Sequence, residues 1–93
     1  MIRDKSSKGS PRERAMTLAL DAVTFLMSDD ETAEQFLGAT GLDPEDIRGS
    51  VRDPDFLEGV LDYLLSREDL LISFCEQNGI DPMLPARLKM ALD

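Results

Sequence analysis

The sequence predicts an all-α protein, a compact bundle of about six short helices in one domain. Three observations predict it. Four of the five prolines directly follow a residue suited to cap a helix start. Two glycines, Gly41 and Gly79, end helical runs just before an aliphatic residue. Residues 18–44 match residues 56–82 at those same signals. Period-two strand alternation is absent, and most positions outside the caps favour helix.

The cap–proline pairs are Ser10-Pro11, Asp43-Pro44, Asp53-Pro54 and Asp81-Pro82. Proline suits the first helical position because its missing N–H would lack an intrahelical partner there anyway. The preceding Ser or Asp oxygen can accept from one of the orphan N–H groups. Acids three residues after the cap reinforce the starts at Ser10/Glu13, Ser28/Glu31, Asp43/Asp46 and Ser66/Asp69. The Glu pairs fit the reciprocal capping box, and the Asp pairs favour the positive helix end. Gly41-Leu42 and Gly79-Ile80 read as left-handed stops. The following aliphatic side chain folds back, onto Leu37 or Phe36 in the first case and Cys75 or Phe74 in the second.

These signals place helices at about 11–27, 30–40, 44–51, 54–65, 67–78 and 82–92. The first has one narrow polar stripe, Thr17, Asp21, Thr24 and Ser28, and is otherwise apolar from Ala15 to Met27, so it belongs at the centre. The second is polar until Phe36 and Leu37 and belongs outside. The fourth turns Phe56, Leu57, Val60, Leu61, Leu64 and Leu65 inward, with Asp55, Glu58 and Asp62 facing water. In the sixth, Pro85 loses a backbone bond unless the helix begins a turn later.

The match at an offset of 38 residues runs without gaps, with six identities in 27 positions: Leu26/Leu64, Ser28/Ser66, Phe36/Phe74, Gly41/Gly79, Asp43/Asp81 and Pro44/Pro82. Each unit is a buried helix, a Ser turn, an amphipathic helix and a Gly-aliphatic-Asp-Pro turn. Neither can cover its own apolar face, whereas two packed together can. The expectation is a bundle of two similar units with approximate two-fold symmetry. The alternative is that two independent helical pairs use the same efficient turn.

Charge divides the chain. Residues 1–14 carry five Lys/Arg against Asp4 and Glu13, a net of +3. Residues 15–93 carry five against seventeen acids, a net of −12. Residues 1–10, with Ser6, Ser7, Gly9 and Ser10, read as a flexible basic tail, and residues 11–93 as a single helical domain. An acidic body repels nucleic acid and suits basic protein surfaces, or serves solubility. No apolar run approaches the ~18 residues of a membrane span, and the N-terminus shows no secretory h-region. With a single cysteine, the expected location is the reducing cytoplasm.

Chemistry-bearing patterns are missing. The chain has no histidine, which removes Ser-His and Cys-His dyads and Glu-x-x-His di-metal sites. One cysteine cannot build a Cys/His metal site. Cys75, beside Phe74, reads as a buried small hydrophobe. No calcium-loop spacing or glycine-rich phosphate loop occurs. Acyl carrier proteins are also small acidic bundles, but they attach their cofactor to the Ser of Asp-Ser-Leu, which is absent here. No catalytic, cofactor-binding or metal-binding residue is therefore assigned.

FLGATGLDPEDIR (36–48), DPDFLEGVLDYLL (53–65) and LLISFCEQNGIDP (70–82) carry a resemblance across residues 15–93. The chain is similar to a bacterial family of short all-helical proteins, domain-of-unknown-function family 3572. The resemblance implies a helical fold and brings no activity with it.

The expected function is that of a non-catalytic protein–protein interaction or adaptor module, not an enzyme, without cofactor, working as a monomer or homodimer. A groove between helices or an exposed apolar patch would make the contact. Met83 and Met90 on the last helix are a candidate edge, core filling being the alternative. The other function considered is an acidic nucleic-acid mimic inhibiting a DNA- or RNA-binding protein. Direct nucleic-acid binding is not expected.

Overall fold

The computed structural model describes residues 10–92. The basic tail expected at 1–10 therefore lies, apart from Ser10, outside the described residues. Six α-helices follow one another: α1 Pro11–Met27, α2 Asp30–Thr40, α3 Pro44–Ser50, α4 Pro54–Ser66, α5 Glu68–Asn78 and α6 Leu84–Lys89. A short 3₁₀ turn, Met90–Leu92, ends the described chain. No strand occurs among the described residues.

The central position expected for the first helix is observed. Ala15, Leu18, Ala19, Ala22, Val23 and Leu26 of α1 are buried, and Thr17, Asp21, Thr24 and Ser28 form its exposed stripe. Its main partner is α4, which buries Leu57, Val60, Leu61 and Leu64. α1 supplies several small side chains and α4 large ones, so the two helices can fill one shared layer. α6 closes one side of that layer by packing on both α1 and α4. α2 lies outside, burying only Ala33 and Phe36, while α5 buries Phe74 and Cys75. All of these except Ala33 join one core cluster, with Ile47, Leu88 and Leu92.

Burial repeats at the 38-residue offset. Ala19/Leu57, Ala22/Val60, Val23/Leu61, Leu26/Leu64 and Phe36/Phe74 are buried in both units. The aromatic rings cross between units. Phe25 meets Phe74 edge-on with centroids 5.5 Å apart, and Phe36 meets Tyr63 at 5.2 Å. Since Phe25 matches Tyr63 and Phe36 matches Phe74, each unit gives the other the same pair of rings. Small polar groups repeat as well. The hydroxyls of Ser28 and Ser66 donate to the carbonyls of Phe25 and Tyr63, at 2.8 and 2.7 Å. Thr40 Oγ1 and Asn78 Nδ2 each donate at 2.9 Å to the carbonyls of Phe36 and Phe74.

The two glycine stops are both left-handed, with φ of 75° at Gly41 and 64° at Gly79. Their hydrogen bonding differs. Gly41 N–H donates to the Leu37 carbonyl at 2.8 Å, the single-bond αL ending. Ile80 N–H reaches the Cys75 carbonyl at 2.9 Å while Gly79 N–H reaches that of Glu76 at 3.4 Å, the two-bond Schellman ending.

Three expected starts require correction. Ser28 is not the cap of α2: its hydroxyl is engaged by the Phe25 carbonyl, and Asp29 caps by accepting from Thr32 N–H at 3.0 Å. Ser66 likewise turns back, leaving Arg67 at the cap position of α5 with no side-chain cap bond. Asp81-Pro82 opens a turn instead of a helix. Asp81 Oδ1 accepts from Met83 N–H at 2.9 Å, and α6 begins at Leu84 with the nitrogen of Pro85 needing no acceptor in its first turn. In α3 the backward reach of the box is made by an Asp: Asp43 N–H donates to Asp46 Oδ2 at 3.0 Å. Asp53 caps α4 through Asp55 N–H at 3.0 Å.

Candidate interaction groove

α6 lies beside the first half of the 17-residue α1. Between them an open groove of about 720 Å³ is lined by Glu13, Arg14, Met16, Thr17, Leu18, Asp21, Leu84 and Leu88. Local sequence builds both walls. Leu84 and Leu88 stand four apart on α6 and so project from the same side. Pro85 between them is buried and turns the short helix into the core. On α1, Glu13, Met16, Thr17 and Asp21 follow the three- and four-residue spacing of one helical face. Leu18 and Leu88, only 5% and 7% exposed, form the floor, whereas Met16 and Leu84 are half-buried walls. The groove is apolar below, with two carboxylates, one guanidinium and one hydroxyl at its edge.

Other apolar side chains, on α1 and at the ends of α6, are exposed as well. Leu20, four residues after Met16, is exposed, as are Met83 and Met90 at the two ends of α6. The methionines are 61% and 72% exposed, which overturns the core-filling alternative for them. Lys89, half-buried at the end of α6, pairs with Asp62 Oδ1 at 3.3 Å and Glu58 Oε2 at 3.7 Å, and so joins α6 to α4. A second, smaller hollow of about 160 Å³ lies between the end of α2 and the start of α4, lined by Phe36, Thr40, Leu42, Asp55, Phe56, Gly59 and Val60.

The titratable groups that stand out serve local structure. The carboxyl of Asp29 is held below its ordinary value, first by the Thr32 N–H and then by the Thr32 hydroxyl. Arg67 grips Asp69 with two nitrogens, at 3.3 and 3.4 Å, which lowers the Asp69 carboxyl and raises the guanidinium. A third Arg67 nitrogen donates to Gln35 Oε1 at 3.1 Å and to the Tyr63 hydroxyl at 3.2 Å, linking α2 to the α4–α5 turn. Cys75 is buried, and burial pushes its thiol up, helped by the charge of Asp81. Among the described residues, no three His, Cys, Asp or Glu side chains gather so as to hold a metal ion. No helix among them is long and apolar enough to cross a membrane.

A family model described as protein of unknown function (DUF3572) matches residues 12–93. The chain belongs to this family. The DUF3572 match takes in both 27-residue units and both walls of the groove, leaving out only the first eleven residues. No curated protein and no solved structure matches the chain.

Of the last helix, Leu84 and Leu88 line the groove, and Met83 and Met90, which the sequence placed at an edge, are exposed at its two ends. The contribution of α1 was missed. Leu18 is core as its apolar surroundings imply, but Met16 read as core for the same reason and instead lies half-buried in the groove wall. The available signal was the length of α1: 17 residues outrun the 13 of α4, so one end of α1 must find other cover.

Proposed function

We infer that this protein is a small, non-catalytic interaction module that works in the cytoplasm and holds a protein partner in the α1/α6 groove. The observation that carries this reading is the groove itself. Half-buried Met16 and Leu84 form its walls over a floor closed by Leu18 and Leu88, and Leu20 on α1 and Met83 and Met90 at the ends of α6 are exposed as well. Exposed apolar surface of this kind on a small protein is characteristic of contact sites. The composition supports the same reading, since the chain offers no histidine and its one cysteine lies in the core.

The acids favour this reading over mimicry of nucleic acid, which calls for carboxylates in a continuous band. Asp29, Asp30 and Glu31 open α2, Asp43, Glu45 and Asp46 open α3, Asp53 and Asp55 open α4, and Glu68 and Asp69 open α5. There they complement helix dipoles and caps. Glu58 and Asp62 face Lys89.

Affinity purification from the native host tests the reading, with the full chain compared to Thr17→Arg and Leu84→Lys in the groove and Glu34→Lys on α2. A partner should be retained by the wild type and by Glu34→Lys and lost by both groove variants, all of which should keep their helical spectrum. Equal retention by all four would remove the groove from the account.

A further inference from the structure

Resting on the interaction reading above, we propose that the groove's occupant is a basic amphipathic helix, two to three turns long, presented by a partner protein. The groove's length sets the size. Glu13 to Asp21 takes in nine residues of α1, about 12 Å over eight rises of 1.5 Å, or roughly two turns. An incoming helix of that length places apolar side chains at i, i+3, i+4 and i+7 along one face. These meet the apolar strip formed by Met16, Leu18, Leu84 and Leu88.

The openness of the groove argues for a helix over a small ligand. Small molecules bind where most of their surface is enclosed, and here one side would stay in water. A helix needs only one face covered and keeps its own backbone bonded within itself. Met16 in one wall can adapt its shape to the anchors.

Charge selects the sign of the partner. The groove's edge carries Glu13 toward one end and Asp21 at the other, with Arg14 as its single cation. Residues 15–93 carry a net charge of −12. An acidic helix would be repelled by this body, and so would a second copy of the same body. Lysine or arginine flanking the apolar face of the incoming helix would meet Glu13 and Asp21, speeding encounter and fixing direction.

The test uses the full chain and three labelled synthetic peptides of about 14 residues, or four turns. One is a Leu/Lys amphipathic helix, one is its scramble with the same composition, and one is the Leu/Glu counterpart. Fluorescence anisotropy should give binding of the amphipathic basic peptide at least about tenfold tighter than either other peptide, a gap the size of one good anchor. Thr17→Arg, which fills the groove from an exposed position, should weaken it about tenfold. Asp21→Asn should weaken it about threefold and flatten its salt dependence, while Glu34→Gln, the same charge change on α2, should leave it within about twofold.

Equal binding of the basic helix and its scramble would overturn the proposal, because bulk charge alone would then be the attraction. So would indifference to Thr17→Arg. A solution dimer that Thr17→Arg dissociates, or NMR shifts at residues 13–21 and 84–88 on removing residues 1–9, would assign the groove to another occupant and overturn it as well. A native partner lost by Thr17→Arg yet engaging through an acidic or non-helical segment would overturn this inference and leave the interaction reading standing. A partner captured equally by every groove variant would sink both.

Discussion

The two matched units agree in their interiors and differ at their ends. Five matched pairs from Ala19/Leu57 to Phe36/Phe74 are buried in both units, and the rings cross reciprocally as Phe25–Phe74 and Phe36–Tyr63. The elements that follow diverge. After Gly41, Asp43-Pro44 opens a true helix, α3, which buries only Ile47. After Gly79, Asp81-Pro82 makes a turn, and the helix starts later at Leu84 because Pro85 is accommodated in its first turn. That delay accompanies the docking of α6 against both α1 and α4. The interior answers to one packing requirement imposed twice, whereas the ends are free to take on separate tasks. The groove lies between α1 and the helix that follows the second unit.

The comparison can be broken most forcefully at the matched aromatics. Phe36→Ala and Phe74→Ala should each destabilise the fold by about 3–5 kcal/mol in urea unfolding, since both side chains are fully buried. A large cost at one and a small one at the other would mean that the units do not share the interior equally.

The glycine stops sharpen it next. Neither glycine would meet a neighbour within 4 Å if it gained a Cβ, so only the left-handed backbone opposes substitution. Gly41→Ala and Gly79→Ala should therefore cost nearly the same, about 1–2 kcal/mol each, despite their different hydrogen-bonded endings. Thermal midpoints of the two variants check this.

Tyr63→Phe probes a smaller difference. It makes the Phe36–Tyr63 pair chemically like Phe25–Phe74 while removing the hydroxyl that accepts from Arg67. That bond is part-buried while Arg67 keeps its contacts with Asp69 and Gln35, so the loss should be about 0.5–1 kcal/mol.

The turn between each unit's helices predicts a pH effect. Asp29 and Asp69 both have folded-state carboxyls held below their ordinary values, by Thr32 and by Arg67. A lowered folded pKa adds stability that is present above the unfolded value, about 3.9, and is lost as pH falls through the folded one. Acid unfolding curves should show this decline below about pH 4, with Asp29→Asn and Asp69→Asn each making the slope shallower. Because both groups are solvent-exposed the effect should be slight.

The helices and the central place of α1 were legible in the sequence because caps, stops and apolar stripes are local signals. Ser10, Asp53 and Gly41 could be read one turn at a time. Ser28 and Ser66 misled because a serine hydroxyl can accept from the N–H groups ahead or donate to the carbonyl three residues behind, and the sequence pattern does not distinguish the two. Pro82 misled because its role depends on where Pro85 packs. The groove was only half legible: Leu84 and Leu88 mark one wall, but which part of α1 stays uncovered to make the other depends on how α6 packs against it. Met83 and Met90 could be placed at an edge, yet their exposure depends on how α6 seats.

The reciprocal crossing of rings is the most direct point of attack. Double-mutant cycles with leucine substitutions should give a coupling of about 0.5–1.5 kcal/mol for Phe25 with Phe74 and a similar value for Phe36 with Tyr63. Strict additivity in either pair, within about 0.3 kcal/mol, would contradict the claim that the two units hold one another by the same contact made twice.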